Sequence, residues 1–206
     1  MYDVPHFKAS DDNEVMAFMQ AHPFVMLCGF GKDGFPAATH VPVLIKEREN
    51  TIYLQGHIMR GQTHTDAFMN NEKVLAVFSG AHTYVSASWY KQKNVASTWN
   101  YSAVHAQGVL RFLDDDGLYN LLVKLTAKYE AADSPSLVKQ MKSGYVSSLM
   151  KQIIAFEVKL INTEHVFKLS QNRDEESYQN IAEHLTKEDN SDAKEVASLM
   201  RDRNKL

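Results

Sequence analysis

The chain has 206 residues, of which 44% are hydrophobic and 23% are charged, and its formal net charge is -3 at pH 7. This length and composition predict one compact globular protein and exclude a disordered or collagen-like chain. The small negative charge argues against a nucleic-acid partner, because proteins that bind duplexes usually carry a strong basic excess.

The first half of the chain predicts a short helix and then several strands. The segment SDDNEVMAFMQAH begins with capping residues, carries acids in its first turn and places apolar side chains on one face, which is typical of an amphipathic helix that stops at Pro23. A hairpin turn, GKDG, joins the first two strands. The predicted elements are strands over 24–30, 35–45, 52–58 and 74–80, with a short helix over 62–70.

The second half predicts two helices enclosed by strands. Short strands are expected at TYVS and AVHAQGVLRFL, and late strands at IIAFEVKLI and HVFKLS. Two helices, over 116–130 and 137–150, are joined by ADSPS and are interpreted as a packing pair rather than a helix-turn-helix. Hairpin-linked strands interrupted by helices favour a closed or partly closed antiparallel barrel. The charged end of the chain predicts a marginal helix or a mobile arm.

Cys28 is the single cysteine of the chain, and it lies in the apolar run PFVMLCGF. It therefore predicts a buried core residue in a reducing compartment. No apolar stretch is long enough to cross a bilayer, and the first residues lack a basic segment followed by an apolar one. We expect a cytoplasmic protein.

The stretch QGHIMRGQTHTD is a candidate anion site. Arg60 precedes a predicted helix, and Thr63 with Asp66 predicts a capping box at its start. A helix N-terminus offers unpaired N–H groups and the positive end of a dipole, and an arginine adds donors suited to phosphate. An ordinary capped helix with a solvated arginine would show the same pattern.

Aromatic side chains are concentrated in SASWYKQKNVASTWNY, which holds both tryptophans, Trp89 and Trp99, together with Tyr90 and Tyr101. In a loop-like setting such residues can cover a flat ligand or seal an interface. Packing at the rim of a barrel is the alternative.

The nine histidines show no helical pair with a carboxylate base and no accompanying cysteine cluster, so no metal site is predicted. A haem held by one axial histidine stays open, because no spacing rule would reveal it. Hydrolase, Walker and dinucleotide-binding signatures are absent from the sequence, and no catalytic residue is assigned.

Several segments together resemble the PaiB-type transcriptional regulators, FMN-binding split-barrel proteins that are related to the pyridoxamine phosphate oxidases. The matching stretches are HPFVMLCGFGKDGFPAATHVPVL, LQGHIMRGQ, VLAVFSGAHTYVSASWY, TWNYSAVHAQGVLRF and FKLSQNR. The resemblance implies a mainly β protein with helices, a six-stranded antiparallel split barrel that forms a homodimer with FMN at the subunit interface. It also implies a single FMN-binding domain over 1–186 with a helical insertion at about 116–150, followed by a charged C-terminal tail over 187–206.

The resemblance also implies a set of cofactor-binding residues. Thr39 and His40 would lie beside the flavin, and Arg60 at its phosphate. Trp99 and Asn100 would lie near the ring, and a C-terminal group would approach from a late segment. The full set is Thr39, His40, Val41, His57, Arg60, Gln62, Thr63, Trp99, Asn100, Lys168, Ser170, Gln171 and Arg173. Relatives often carry Asn-Pro where this chain has Gln62 and Thr63.

The resemblance implies either a flavin-dependent oxidoreductase or a redox-responsive negative regulator of transcription, and whether the chain is an enzyme stays open. One alternative is a DNA-binding repressor that acts without flavin. Its basic face would consist of Lys124, Lys128, Lys139, Lys142 and Lys151. The other alternative is a haem-binding or haem-degrading protein on the same barrel.

Overall fold

The computed structural model describes residues 1–203. Its strands are β1 (Phe24–Phe30), β2 (Pro36–Pro42), β3 (Leu44–Arg48), β4 (Thr51–Met59), β5 (Lys73–Val85), β6 (Thr98–Phe112) and β7 (Ile153–Lys168). Its helices are α1 (Asp12–Ala21), α2 (Thr63–Asn70), α3 (Asp115–Tyr129), α4 (Ser143–Met150), α5 (Glu175–Lys187) and α6 (Ser191–Arg203). None of the helices within 1–203 is long and apolar enough to span a bilayer.

The chain forms two compact units, and the strands β5, β6 and β7 contribute residues to both. The first unit contains 1–22, 79–105 and the segment from residue 164 onward. The second unit contains 23–78 and 106–163.

All seven strands contribute to the second unit, where the sheet order is β2-β1-β5-β6-β7-β4-β3. The alternation of β4 sets its two faces: Leu54, Gly56 and Ile58 are buried on one face, while Gln55 and His57 point to the other. On that other face Gln55 stands opposite Glu157 of β7. Leucines of α3 pack over Leu44 and Ala155, so the helix covers one part of the sheet.

The predicted antiparallel sheet with helices is confirmed, but the protein is mixed α/β rather than mainly β, and the sheet has seven strands rather than six. The segment predicted as one strand over 35–45 is divided into β2 and β3. Pro42 has no N–H group for a ladder, and the next amide, Val43 N, instead donates to Pro23 O at 2.8 Å.

The two predicted helices of the insertion correspond to α3 and α4, although α4 begins at Ser143 rather than at 137. The preceding residues form turns, and Val138 N donates to Thr126 Oγ1 of α3 at 3.3 Å. Residues 130–142 therefore separate the helices, a connection much longer than the turn of a helix-turn-helix.

The predicted charged tail contains a packed helix, α6, in the first unit. Ala193, Val196, Ala197 and Met200 recur at helical spacing and are fully buried in a cluster with residues of α5. Of the two expectations for this tail, the helix is confirmed over 191–203 and the mobile arm is wrong there. Burial of the small and apolar residues on one face stabilises the helix, while the charged residues lie on the other face. Residues 204–206 of the predicted tail lie outside the described residues.

Candidate functional site

Arg60 lies at the junction between β4 and α2 in the second unit. Its backbone N–H donates to Gln152 O at 2.9 Å, and its Nε donates to Ile153 O at 2.8 Å. These two bonds fix the start of the side chain and its guanidinium plane. Within residues 1–203 the two terminal nitrogens have no hydrogen-bond partner, so an exposed guanidinium edge is free to bind a ligand.

The helix that follows Arg60 begins without a side-chain cap. Gln62 is the N-cap residue, and its side chain accepts no capping bond. The first helical bond runs from Asp66 N to Gln62 O at 3.0 Å, which leaves the N–H groups of Thr63, His64 and Thr65 ahead of it. The predicted capping box is wrong, because Thr63 is the first residue of α2 rather than its N-cap.

A glycine shapes the turn between Arg60 and the helix. Gly61 has a φ of +68°, a left-handed conformation that side-chain-bearing residues rarely adopt. A Cβ at Gly61 would meet nothing within 4 Å, so backbone conformation rather than crowding favours glycine there. The turn therefore joins the arginine directly to the uncapped end of α2.

Two histidines beside Arg60 in the chain have buried nitrogens without partners among the described residues. They are Nδ1 of His57, on β4, and Nε2 of His64, in the first turn of α2. Burial lowers the pKa of both imidazoles below the ordinary value, so both are neutral near pH 7. A buried polar nitrogen that lacks a partner fits a position where a ligand completes the hydrogen bonding. His64 is not among the residues predicted from the sequence, although its place in the first turn of α2 was a signal for it.

The three predicted residues of β2 lie in the second unit but do not share one face. Thr39 and Val41 stand opposite Leu27 and Val25 of β1, and Val41 is buried. His40 is exposed on the other face, where its ring stacks on Phe24 with centroids 6.0 Å apart.

Trp99, one of the predicted site residues, lies in the first unit and has an exposed aromatic ring. Its side chain is 53% exposed, and the rings of His82 and Tyr84 flank it at 6.2 and 6.1 Å. An open pocket of about 340 Å³ is lined by Trp99, Tyr101 and Ser102 among others. Ser102 Oγ is buried and has no partner within residues 1–203. The opening of β6 thus presents a flat aromatic surface beside an unpaired hydroxyl.

Asn100 and Ser170 are buried and bind each other. Asn100 Nδ2 donates to Ser170 Oγ at 3.0 Å, and Ser170 Oγ lies 3.1 Å from Asn100 Oδ1. Met200 Sδ of α6 lies 3.7 Å from the same Nδ2. Ser170 has a φ of +64°, so this contact accompanies a left-handed turn at the end of β7. The pair joins the start of β6 to that turn.

The remaining predicted residues of the first unit also bind atoms of their own chain. Lys168 Nζ donates to Thr98 Oγ1, and burial, together with the charge of Arg173, lowers the pKa of Lys168. Gln171 accepts from Leu169 N at 2.7 Å. The Arg173 guanidinium lies 4.1 Å from the centroid of the buried Tyr90 ring. Each unit therefore holds one group of the predicted site residues.

The family model described as "Putative FMN-binding domain" matches residues 1–162. The chain belongs to this FMN-binding family. It is also 36% identical over 204 residues, 98% of both chains, to the Protease synthase and sporulation protein PAI 2 of Bacillus subtilis (strain 168). The resemblance to PaiB-type proteins is therefore confirmed, and so is FMN as the cofactor of the family.

Solved structures show the same fold as this member of the FMN-binding family. A conserved hypothetical protein of Mycobacterium tuberculosis, Rv2991, is similar with a TM-score of 0.57 and 14% identity, covering 84% of this chain and 92% of that one. The flavocytochrome Anf3 of Azotobacter vinelandii is similar with a TM-score of 0.56 and 15% identity, covering 83% of this chain and 74% of that one. Identities this low show the fold alone.

Proposed function

We propose that this chain holds FMN with its phosphate at the β4–α2 junction. The observation that carries the proposal is the geometry around Arg60: a guanidinium anchored through Nε on Ile153 O, next to the uncapped N–H groups of α2. A phosphate dianion needs several aligned donors and positive potential. The arginine and the helix N-terminus supply both.

The neighbouring residues of the second unit fit the rest of such a cofactor. The neutral imidazoles of His57 and His64 each offer a buried nitrogen that lacks a partner among the described residues. The side chains of Gln62 and Thr63 are exposed and would add hydrogen bonds at the phosphate, in place of the Asn-Pro of relatives. His40 would face the ligand from β2, whereas Thr39 and Val41 would support its strand from the opposite face.

Taken by themselves, the predicted residues of the first unit suit a flat ligand. Trp99 offers an exposed surface on which a flat ring can stack. Asn100 and Ser170 would hold the segment rigid through their mutual bonds, as would Gln171 through its bond to Leu169 N. Lys168 and Arg173 would keep positive charge on the same segment.

We propose a homodimer with the flavin at the subunit interface. In the second unit, Phe24 and Phe30 of β1 and Ile161 of β7 are exposed apolar side chains. An apolar sheet surface of this kind is typical of a surface that a second subunit covers. Flavin bound at such an interface would be shielded from water by both copies.

We propose that the protein works through the redox state of its flavin. Bound FMN supplies electron and hydride transfer, while the residues of the chain bind it, orient it and exclude water. The protein would act either as an oxidoreductase or as a redox-responsive regulator. The regulatory role draws support from the relative whose name refers to protease synthesis and sporulation.

Release of the cofactor from the purified protein tests this proposal. We expect a yellow protein with the two absorption bands of a flavin, and a released compound with the mass of FMN. A single intense Soret band, with haem as the released compound, would contradict the proposal and support the haem alternative. A colourless protein that does not take up added FMN would contradict it as well.

A further inference from the structure

A buried carboxylate organises a second group of polar side chains in the second unit, away from Arg60. Glu157 of β7 is only 2% exposed. Arg48 donates to its Oε2 at 2.5 Å, and Arg111 donates to its Oε1 through Nη2 at 2.8 Å and Nε at 3.2 Å. Gln55 also donates to Oε2 at 2.6 Å. A single carboxylate therefore fixes two guanidinium groups.

These side chains form the floor and walls of a pocket of about 290 Å³. The pocket is lined by Arg48, Tyr53, Val109, Arg111, Glu157 and Lys159. The Arg48 guanidinium also lies over the Tyr53 ring, 3.8 Å from its centroid, so this arginine is held from two sides. The donors at this pocket are consequently fixed before a ligand arrives, which lowers the entropic cost of binding.

The pocket carries more positive charge than its carboxylate can neutralise. Three cations and one acid line it. Near Arg48, the side chain of Lys46 on β3 lies close to Lys124 of α3, and this proximity, together with burial and the charge of Arg48, lowers the pKa of Lys46. Two ammonium groups held close together repel each other, so they add positive potential to this region of the sheet. A purely structural ion pair would need only one cation for Glu157.

We propose that this pocket binds a compact oxyanion of the diphosphate type. Fixed guanidinium groups with free N–H edges match the geometry of phosphate oxygens, and Lys159 adds a flexible point charge at the rim. The volume suits an anion of a few heavy atoms. A bound diphosphate would balance the excess positive charge of the arginines and of Lys159.

This anion pocket is separate from the proposed FMN phosphate site. Along the β4–β7 ladder the pocket is centred on the pairs Gln55–Glu157 and Tyr53–Lys159, whereas Arg60 follows the last pair, Met59–Ile153. Five residues of strand, at about 3.3 Å each, separate Gln55 from Arg60 by roughly 16 Å. The pocket therefore goes beyond the proposed function and can be tested independently of it.

Titration calorimetry with inorganic pyrophosphate tests the proposal on the full-length protein. With FMN bound, so that the proposed phosphate site at Arg60 is filled, we expect one pyrophosphate per chain. The affinity should be at least about tenfold weaker in Lys159→Met and close to wild type in Lys159→Arg. Lys159 is exposed, so neither substitution should affect folding. The matched control is Lys151→Met, which removes an exposed lysine at the end of α4 and should change nothing.

Two further arms separate the alternatives. Arg60→Ala should bind pyrophosphate with the affinity of the FMN-loaded wild type, and Lys159→Met should retain FMN as the wild type does. Competition by ADP would identify a nucleotide as the carrier of the diphosphate, and lack of competition would identify the free anion. Absence of pyrophosphate binding, or equal affinities in wild type and Lys159→Met, would overturn the proposal. Binding of duplex DNA through Lys159, without any binding of pyrophosphate, would also overturn the proposal.

Discussion

Replacing Arg60 with alanine is expected to weaken FMN binding by about ten- to a hundredfold, because a charge-assisted bond contributes about 1.5–3 kcal/mol. The guanidinium is anchored on Ile153 O, so its free edge is already oriented toward a phosphate. Flavin fluorescence during a titration of the apoprotein measures the change. Arg60 is exposed, and its loss should alter the free energy of unfolding by no more than about 0.5 kcal/mol.

Two further variants serve as controls for Arg60→Ala. Arg60→Lys should recover only part of the affinity, since lysine supplies a point charge but not the planar donors of arginine. Arg201→Ala removes an exposed arginine that donates to Thr186 Oγ1 at 2.6 Å in the first unit, and it should leave FMN affinity unchanged. If Arg60→Ala bound FMN with wild-type affinity, the β4–α2 junction would not be part of the FMN site.

Substitution of Glu157 by alanine is expected to lower the free energy of unfolding by about 3 kcal/mol, as typically found when one partner of a buried ion pair is removed. The substitution leaves Arg48, Arg111 and Gln55 without their acceptor. The side chains of Arg48 and Arg111 are 48% and 67% exposed and can regain water, which keeps the loss at the lower end of the usual range. Urea unfolding monitored by circular dichroism measures it.

The control for this effect is Glu183→Ala, which removes an exposed carboxylate of α5 and should change the free energy of unfolding by no more than about 0.5 kcal/mol. A loss in Glu157→Ala as small as that of the control would contradict the account of the buried carboxylate.

The contribution of Glu157 to stability should also depend on pH. Burial alone would raise its pKa, but the hydrogen bonds from Arg111 and Gln55, with the charges of Arg48 and Arg111, hold its pKa below the ordinary value of 4.5. A lowered pKa in the folded protein means that the contribution is complete above about 4.5 and is lost as the pH falls through the folded value. The stability difference between wild type and Glu157→Gln should therefore shrink in acid below that pH. A difference that stays constant from pH 7 to pH 3 would contradict this assignment.

The sequence predicted the strands well where apolar and polar residues alternate or run together. The buried runs around Leu27 and Ala76 became central strands, and the β4–α2 junction around Arg60 lies where the motif indicated. The alternation of apolar and polar residues depends only on neighbouring positions, so it predicts a strand without knowledge of distant contacts. The division of 35–45 into two strands was harder to predict from the sequence, because it depends on a contact between Val43 N and the distant Pro23 O.

The features that the sequence did not predict depend on side chains far apart in the chain. Glu157 and its partners Arg48 and Arg111 lie on three different strands, and no spacing rule relates them. The mutual bonds of Asn100 and Ser170 likewise require the fold to bring together residues 70 positions apart. The sequence predicted α6 only as a marginal helix or a mobile arm because of its charged residues, and its burial depends on packing against α5, although Val196 and Met200 lie one turn apart on one face.

Titration of the apoprotein with FMN and with riboflavin, which lacks the phosphate, tests the central claim most directly. If Arg60 and the start of α2 bind the phosphate, FMN should bind at least about a hundredfold more tightly than riboflavin, because several charge-assisted bonds are lost together. The preference for FMN should shrink sharply in Arg60→Ala. Equal affinities of the wild-type protein for FMN and riboflavin would contradict the account.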